Sequence, residues 1–220
     1  PTAPPMDPNG FIGVDLGIVQ IASDSDGELF SGETVEKTRS RYHELRKSLQ
    51  ANGSRSARRH LQRIRRKESR FRRNQNHVIS KKLVEKAKDT GRGIKLENLK
   101  NIRERTTVRK SDRAKHSGWS FFQLQSFIEY KAKREGVVVQ YVDPRHTSRQ
   151  CAACGHTDQA NRKTQSRFQC VSCGHVANAD KNAAINIAAR VHVNEPIVAH
   201  DDDNGPSECS RKPRPLGRGN

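Results

Sequence analysis

Apolar residues are scarce in this sequence, 32% of 220 residues, against roughly 45–50% in an average globular chain. A chain this polar buries one modest core, not two. Aromatic residues are scarcer still at 5%, which leaves few platforms for stacking single-stranded bases. No run approaches ~18 consecutive apolar residues, so no membrane-spanning helix and no membrane partner are expected. Pro1 to Gly10 is Pro-rich without an apolar run, so a signal peptide is not expected. The first residue is not Met, and the chain reads as a fragment or a processed product. Cysteines number five, an odd count, and four of them fall in CxxC pairs. That pattern speaks for metal in a reducing compartment rather than for disulfides. Cys209 is left over as a free thiol in the tail.

Positive charge is what the sequence has in excess. Lys and Arg total 42 against 24 Asp and Glu, a net +18. Such an excess points to a polyanion, because Lys and Arg gain affinity by displacing counterions from phosphates. The charge is concentrated: residues 34–88 hold nineteen Lys or Arg against four Glu, a net +15. Asn52-Gly53-Ser54 divides this stretch into two helices. In the second, Ala57, Leu61, Ile64 and Phe71 recur at helical spacing, giving one narrow apolar stripe and a wide basic face. A mixed charge run is usually a solvated face, but one of a single sign favours phosphate contact. Arg58, Arg59, Arg65, Arg66, Arg72 and Arg73 are the candidate contacts there.

Around this insertion the pattern alternates strands and helices. Phe11 to Gly17 reads as a buried strand, and Ile18 to Ser23 either continues it or starts a second. Asp24-Ser-Asp-Gly27 is turn chemistry, with Glu28 to Phe30 as the return strand. Ile94 to Leu99 is a strand, residues 100–118 a polar loop, and Trp119 to Arg134 a helix stopped by Gly136. Val137 to Val142 is a β-branched strand, and Asn178 to Val193 an Ala- and Ile-rich helix. Residues 195–220 read as a disordered tail. Nothing repeats internally apart from two cysteine knuckles.

Cys151-Ala-Ala-Cys154 and Cys170-Val-Ser-Cys173 are separated by fifteen residues, the spacing of a four-thiolate zinc ribbon. Gly155 and Gly174 follow the second Cys of each pair and permit the positive φ that turns backbone N–H groups toward sulfur. Four thiolates leave no open position, so one Zn²⁺ with a structural role is expected. A disulfide pair and an iron–sulfur site are the alternatives. His156 and His175 are expected to be exposed rather than ligands.

Three carboxylates stand where strands or helices begin or end. Asp15 closes an apolar run, where an unpaired charge costs several kcal/mol. Glu97 closes the Ile94 strand, and Asp180 opens the last helix. Taken singly, Glu97 could be a surface residue and Asp180 a cap, a role for which Asn178 competes. Taken together they form an Asp–Glu–Asp set on a β-hairpin, β, α, β, α order. That order matches a ribonuclease H-like α/β fold, a mixed sheet with inserted basic helices. Such a set could hold two Mg²⁺ about 4 Å apart for phosphodiester hydrolysis, with Mn²⁺ able to substitute. Asn182 could orient a ligand or be a polar surface residue, Arg149 could reach a phosphate or be solvated, and Trp119 is expected to pack in the core.

Four stretches make the chain resemble a known family: Gly13-Val-Asp-Leu-Gly17, Ile94-Lys-Leu-Glu-Asn-Leu99, Asp143-Pro-Arg-His-Thr-Ser148 running into the CxxC pairs, and Asn178-Ala-Asp-Lys-Asn-Ala-Ala-Ile-Asn-Ile187. The chain is similar to the C-terminal half of TnpB, the protein of IS200/IS605- and IS607-type insertion sequences, related to the Cas12 nucleases. The resemblance covers residues 11–190. It implies a RuvC-like nuclease interrupted by a zinc ribbon, cutting DNA under a guide RNA. Asp15, Glu97 and Asp180 match the family's catalytic, Mg²⁺-binding acids, and Cys151, Cys154, Cys170 and Cys173 its zinc ligands. The family's N-terminal part has no counterpart in this sequence.

The implied division is 11–147 for the first part of the core, with the basic insertion at 34–90, then 148–176 for the ribbon and 177–194 for the last core helix. A bacterial or archaeal cytoplasm, at the nucleoid, is the implied location. A non-catalytic RNA- or DNA-binding fragment and a strand-transferring transposase are the rival readings, and the oligomeric state is left open.

Overall fold

The computed structural model describes residues 3–99 and 121–191. The sequence readings at 100–118, Trp119, 195–220 and Cys209 fall outside the described residues. Five strands form one mixed sheet: β1 (Phe11–Asp15), β2 (Gln20–Asp24), β3 (Leu29–Ser31), β4 (Gly93–Glu97) and β5 (Val139–Val142), in the order β3-β2-β1-β4-β5. β1–β2 and β2–β3 are antiparallel, β1–β4 and β4–β5 parallel. Ile18 therefore begins no continuation of β1: the chain turns and returns as β2.

Pleating decides what each face does. Ile12 and Val14 on β1 and Ile94 and Leu96 on β4 point to one side, fully buried. There they meet Ile79, Leu83, Val84 and Ala87 from α2 (Arg55–Asp89) and Leu124, Ile128 and Ala132 from α3 (Phe121–Glu135). The alternate positions Gly13 and Asp15, Lys95 and Glu97 point to the other side, which α4 (Ala179–Ala189) covers. Gly13 is required there: a Cβ would stand 2.1 Å from the Ala184 carbonyl oxygen and 2.4 Å from the Ala188 nitrogen. At the far end of α4 the buried Lys95 ammonium donates to the carbonyls of Ala188, at 3.0 Å, and Arg190.

The basic insertion is a helical hairpin. α1 (Glu33–Asn52) and α2 are joined where Gly53 takes φ 65° and the Ser54 hydroxyl caps α2 by accepting from Ala57 N–H. α2 has 35 residues, about 52 Å of helix. Its C-terminal half packs on the sheet, and its N-terminal half lies against α1. The predicted stripe faces this seam, Ala57 and Ile64 buried, Leu61 and Phe71 half-buried. Arg46 and Glu68 close an ion pair across it. α1 itself buries no residue.

α4 is shorter than the predicted 178–193 helix. Arg190 leaves helical geometry at ψ 147°, and its guanidinium donates to the Asp143 carbonyl instead.

Candidate carboxylate site and thiolate centre

The thiolate centre is built from two copies of one turn. Cys151 N–H donates to His156 C=O and Gly155 N–H to Cys151 C=O. In the second copy Cys170 N–H donates to His175 C=O and Gly174 N–H to Cys170 C=O. Gly155 and Gly174 take φ of 76° and 74°, which closes each turn. Two short strands, β6 (Arg167–Gln169) and β7 (Val176–Asn178), and the buried Phe168 support the pair. The four sulfurs all lie within 4.8 Å of one another, the one such metal-ligating group among the described residues. The Cys173 backbone N–H, followed by that of Ser172, holds the Cys170 thiol down at about 6, so it is readily a thiolate. Four sulfurs in this arrangement can hold a zinc ion. His156 and His175 contribute their backbone carbonyls to the turns. His156 is exposed as expected, His175 half-buried.

The three predicted carboxylates converge at the sheet's other working end. The register Gly13↔Lys95, Val14↔Leu96 brings Asp15 beside Glu97. α4, crossing the same face, adds Asp180 from its first turn. Asn178 caps α4, its Oδ1 accepting from the N–H groups of Asp180 and Lys181, so the Asp180 carboxylate is not spent on capping. Burial, then the charges of Glu97 and Asp180, push Asp15 up to about 7. Burial also raises Glu97 and Asp180. Asp24, at the end of β2, is fully buried and is paired instead with Lys86.

Sequence reasoning missed two residues here. Arg162 comes from between the two knuckles, its guanidinium 3.6 Å from an Asp180 oxygen and lowering Asp15 as well. Thr147, 3% exposed, donates its hydroxyl to Glu97 Oε1. Neither has a local signal, although Thr147 lies within one of the recognised stretches.

Asn182 is not a surface residue. It is fully buried and joins α4 to the ribbon: its Oδ1 accepts from Ala152 N–H at 3.0 Å and its Nδ2 donates to Gln150 C=O at 2.7 Å. Asn186 donates to Thr147 C=O at 2.9 Å and Gln150 C=O at 2.7 Å. Arg58, Arg59, Arg65, Arg66 and Arg73 are exposed on α2, Arg72 is half-buried, and Arg149 is exposed beside the ribbon.

Two family models match the chain. One, OrfB_IS605, described as "Probable transposase", covers residues 1–103, and one described as "Cas12f1-like, TNB domain" covers residues 121–187. The chain is 34% identical over 200 residues to the CRISPR-associated endodeoxyribonuclease Cas12f1 of Sulfoacidibacillus thermotolerans, covering 83% of this chain and 46% of that protein. It is 45% identical over 80 residues to the TnpB-like protein MJ0751 of Methanocaldococcus jannaschii, 36% of this chain and 29% of that one. A cryo-EM structure of a Cas12f1-sgRNA-target DNA complex has a protein chain of the same fold, with TM-score 0.62 and 22% identity over 83% of this chain and 50% of that one. The chain spans about half the length, or less, of these relatives.

Proposed function

Because this chain belongs to the TnpB-type, Cas12-related family, we propose that it is the nuclease part of an RNA-guided DNA endonuclease. Its core, 11–147 together with 177–194, is read as ribonuclease H-like (RuvC-like), interrupted by a zinc ribbon at 148–176. The strand order β3-β2-β1-β4-β5, antiparallel then parallel, supports that reading. The observation that carries the function is the convergence of Asp15, Glu97 and Asp180: burial first, then repulsion from the other two acids, holds Asp15 near 7. A divalent cation relieves such repulsion, and oxygen donors suit Mg²⁺ or Mn²⁺. Two ions bound there would supply an activated water for in-line attack and neutralise the charge on the leaving 3′-oxygen.

The chain's own residues do the rest. Asp15, which feels the charges of both other acids, would be one of the carboxylates that hold the ions. The Arg162 guanidinium, already among the acids, meets a phosphate's negative charge. The exposed arginines of α2 and Arg149 hold the backbone of DNA or of a guide RNA without reading bases. The thiolate centre, loaded with zinc, would keep Arg162 in place and takes no part in the chemistry.

The test uses labelled single-stranded DNA with Mg²⁺ or Mn²⁺, beside the Asp15→Ala protein, and again with guide RNA in the full-length context. Cleavage by wild type alone supports the reading. Equal behaviour of the two proteins in the guided setting overturns it in favour of a binding module. Joined rather than cut strands would favour transposition, which the "Probable transposase" description of one matching family keeps in view.

A further inference from the structure

The loop from β5 to the first cysteine pair is held in a costly conformation. His146 takes φ 64°, the one non-glycine residue with positive φ among those described, a geometry that costs about 1 kcal/mol or more outside glycine. Its carbonyl accepts from the N–H groups of Arg149, at 3.0 Å, and Gln150, at 2.9 Å. The turn delivers Thr147, buried, against Glu97. Three contacts fix that threonine. Its hydroxyl reaches both Glu97 Oε1 and, at 3.1 Å, the Pro144 carbonyl. Having one proton, it favours the charged acceptor. Its own carbonyl accepts from Asn186 Nδ2 at 2.9 Å. Asn186 lies on α4, the helix that carries Asp180. The helix that places one acid therefore also places the hydroxyl that grips another.

We infer that Thr147 is a positioning residue of the carboxylate site: its hydroxyl occupies Glu97 Oε1 and so fixes Oε2 as the oxygen offered to a divalent cation. This rests on the function proposed above. Partners that orient a ligating carboxylate are worth about 10- to 100-fold in metal affinity. A hydroxyl that merely filled space would be replaceable by a methyl group of the same shape.

The experiment measures Mn²⁺ binding to the zinc-loaded protein by electron paramagnetic resonance, with zinc content and thermal unfolding followed in parallel. Four proteins are compared: wild type, Thr147→Val, Thr147→Ser and Glu97→Gln. The expected result is Mn²⁺ affinity about tenfold weaker in Thr147→Val, within twofold of wild type in Thr147→Ser, and lost in Glu97→Gln. Thr147→Val binding as wild type does while Glu97→Gln fails would overturn the role of Thr147 and leave the carboxylate site standing. Glu97→Gln binding as wild type does would overturn the site itself. Should Thr147→Val fail to fold, Thr147→Ser decides, since it keeps the hydroxyl: a tenfold loss there overturns the inference, and full retention supports it.

Discussion

Gly13 and Ala184 meet backbone to backbone, at a separation that leaves no room for a methyl group between β1 and α4. Gly13→Ala must push α4 off the sheet, and Asp180 with it. We expect a loss of about 3 kcal/mol in denaturant unfolding, together with weaker Mn²⁺ binding. A variant that kept both stability and metal affinity would show that α4 need not sit this close.

The acids give a pH signature. Asp15 is raised from 3.8 to about 7 in the fold, so its contribution to stability is present at low pH and lost as pH rises through 7. Zinc-loaded protein without Mg²⁺ should lose about 2 kcal/mol from this source between about pH 5.5 and 7.5. Asp15→Asn should flatten that slope, and Mg²⁺ should restore stability at the alkaline end. Urea unfolding across the range, with and without Mg²⁺, measures both effects.

Cys170→Ser leaves every carboxylate in place, yet should abolish metal-dependent cleavage. The ribbon carries Arg162 to Asp180 and, through Asn182 and Asn186, is joined to α4. Metal analysis should find one zinc in wild type and less than one in the variant. A variant with full zinc loading or full activity would contradict the expectation.

The basic hairpin should behave as a phosphate clamp. Arg58, Arg59, Arg65 and Arg66 are exposed, so changing all four to Gln should move stability by less than about 0.5 kcal/mol. If each neutralises a duplex phosphate, the slope of log affinity against log salt should shrink by about 3 to 4. Fluorescence anisotropy at several salt concentrations gives that slope. An unchanged slope would return these arginines to the role of a solvated face.

The parts of the site that were legible in the sequence are local ones. Asp15 and Glu97 each close an apolar run, so pattern alone marked them as charges at strand ends. The cysteines announced themselves by spacing. Arg162 could not be read in this way, because it reaches Asp180 through the fold of the knuckles and not through any periodicity. Thr147 depends on a left-handed residue at His146, where a histidine carries no turn signal as strong as glycine's. Asn182 looked polar on an Ala-rich helix and could not be told from a surface residue until its partners, Gln150 and Ala152, were in place. The central strands were legible, but their register, which sets Asp15 beside Glu97, emerges only from the pairing of β1 with β4.

α1 buries none of its residues fully, and beyond Val35 in its first turn, which packs against the sheet's core, its length is released from the constraints that preserve a core. Turns could be added to the hairpin, or removed from it, without disturbing the sheet. The reach of this arm can therefore drift over evolutionary time while the sheet stays fixed, and it is the natural place to graft a longer or shorter grip onto an unchanged core.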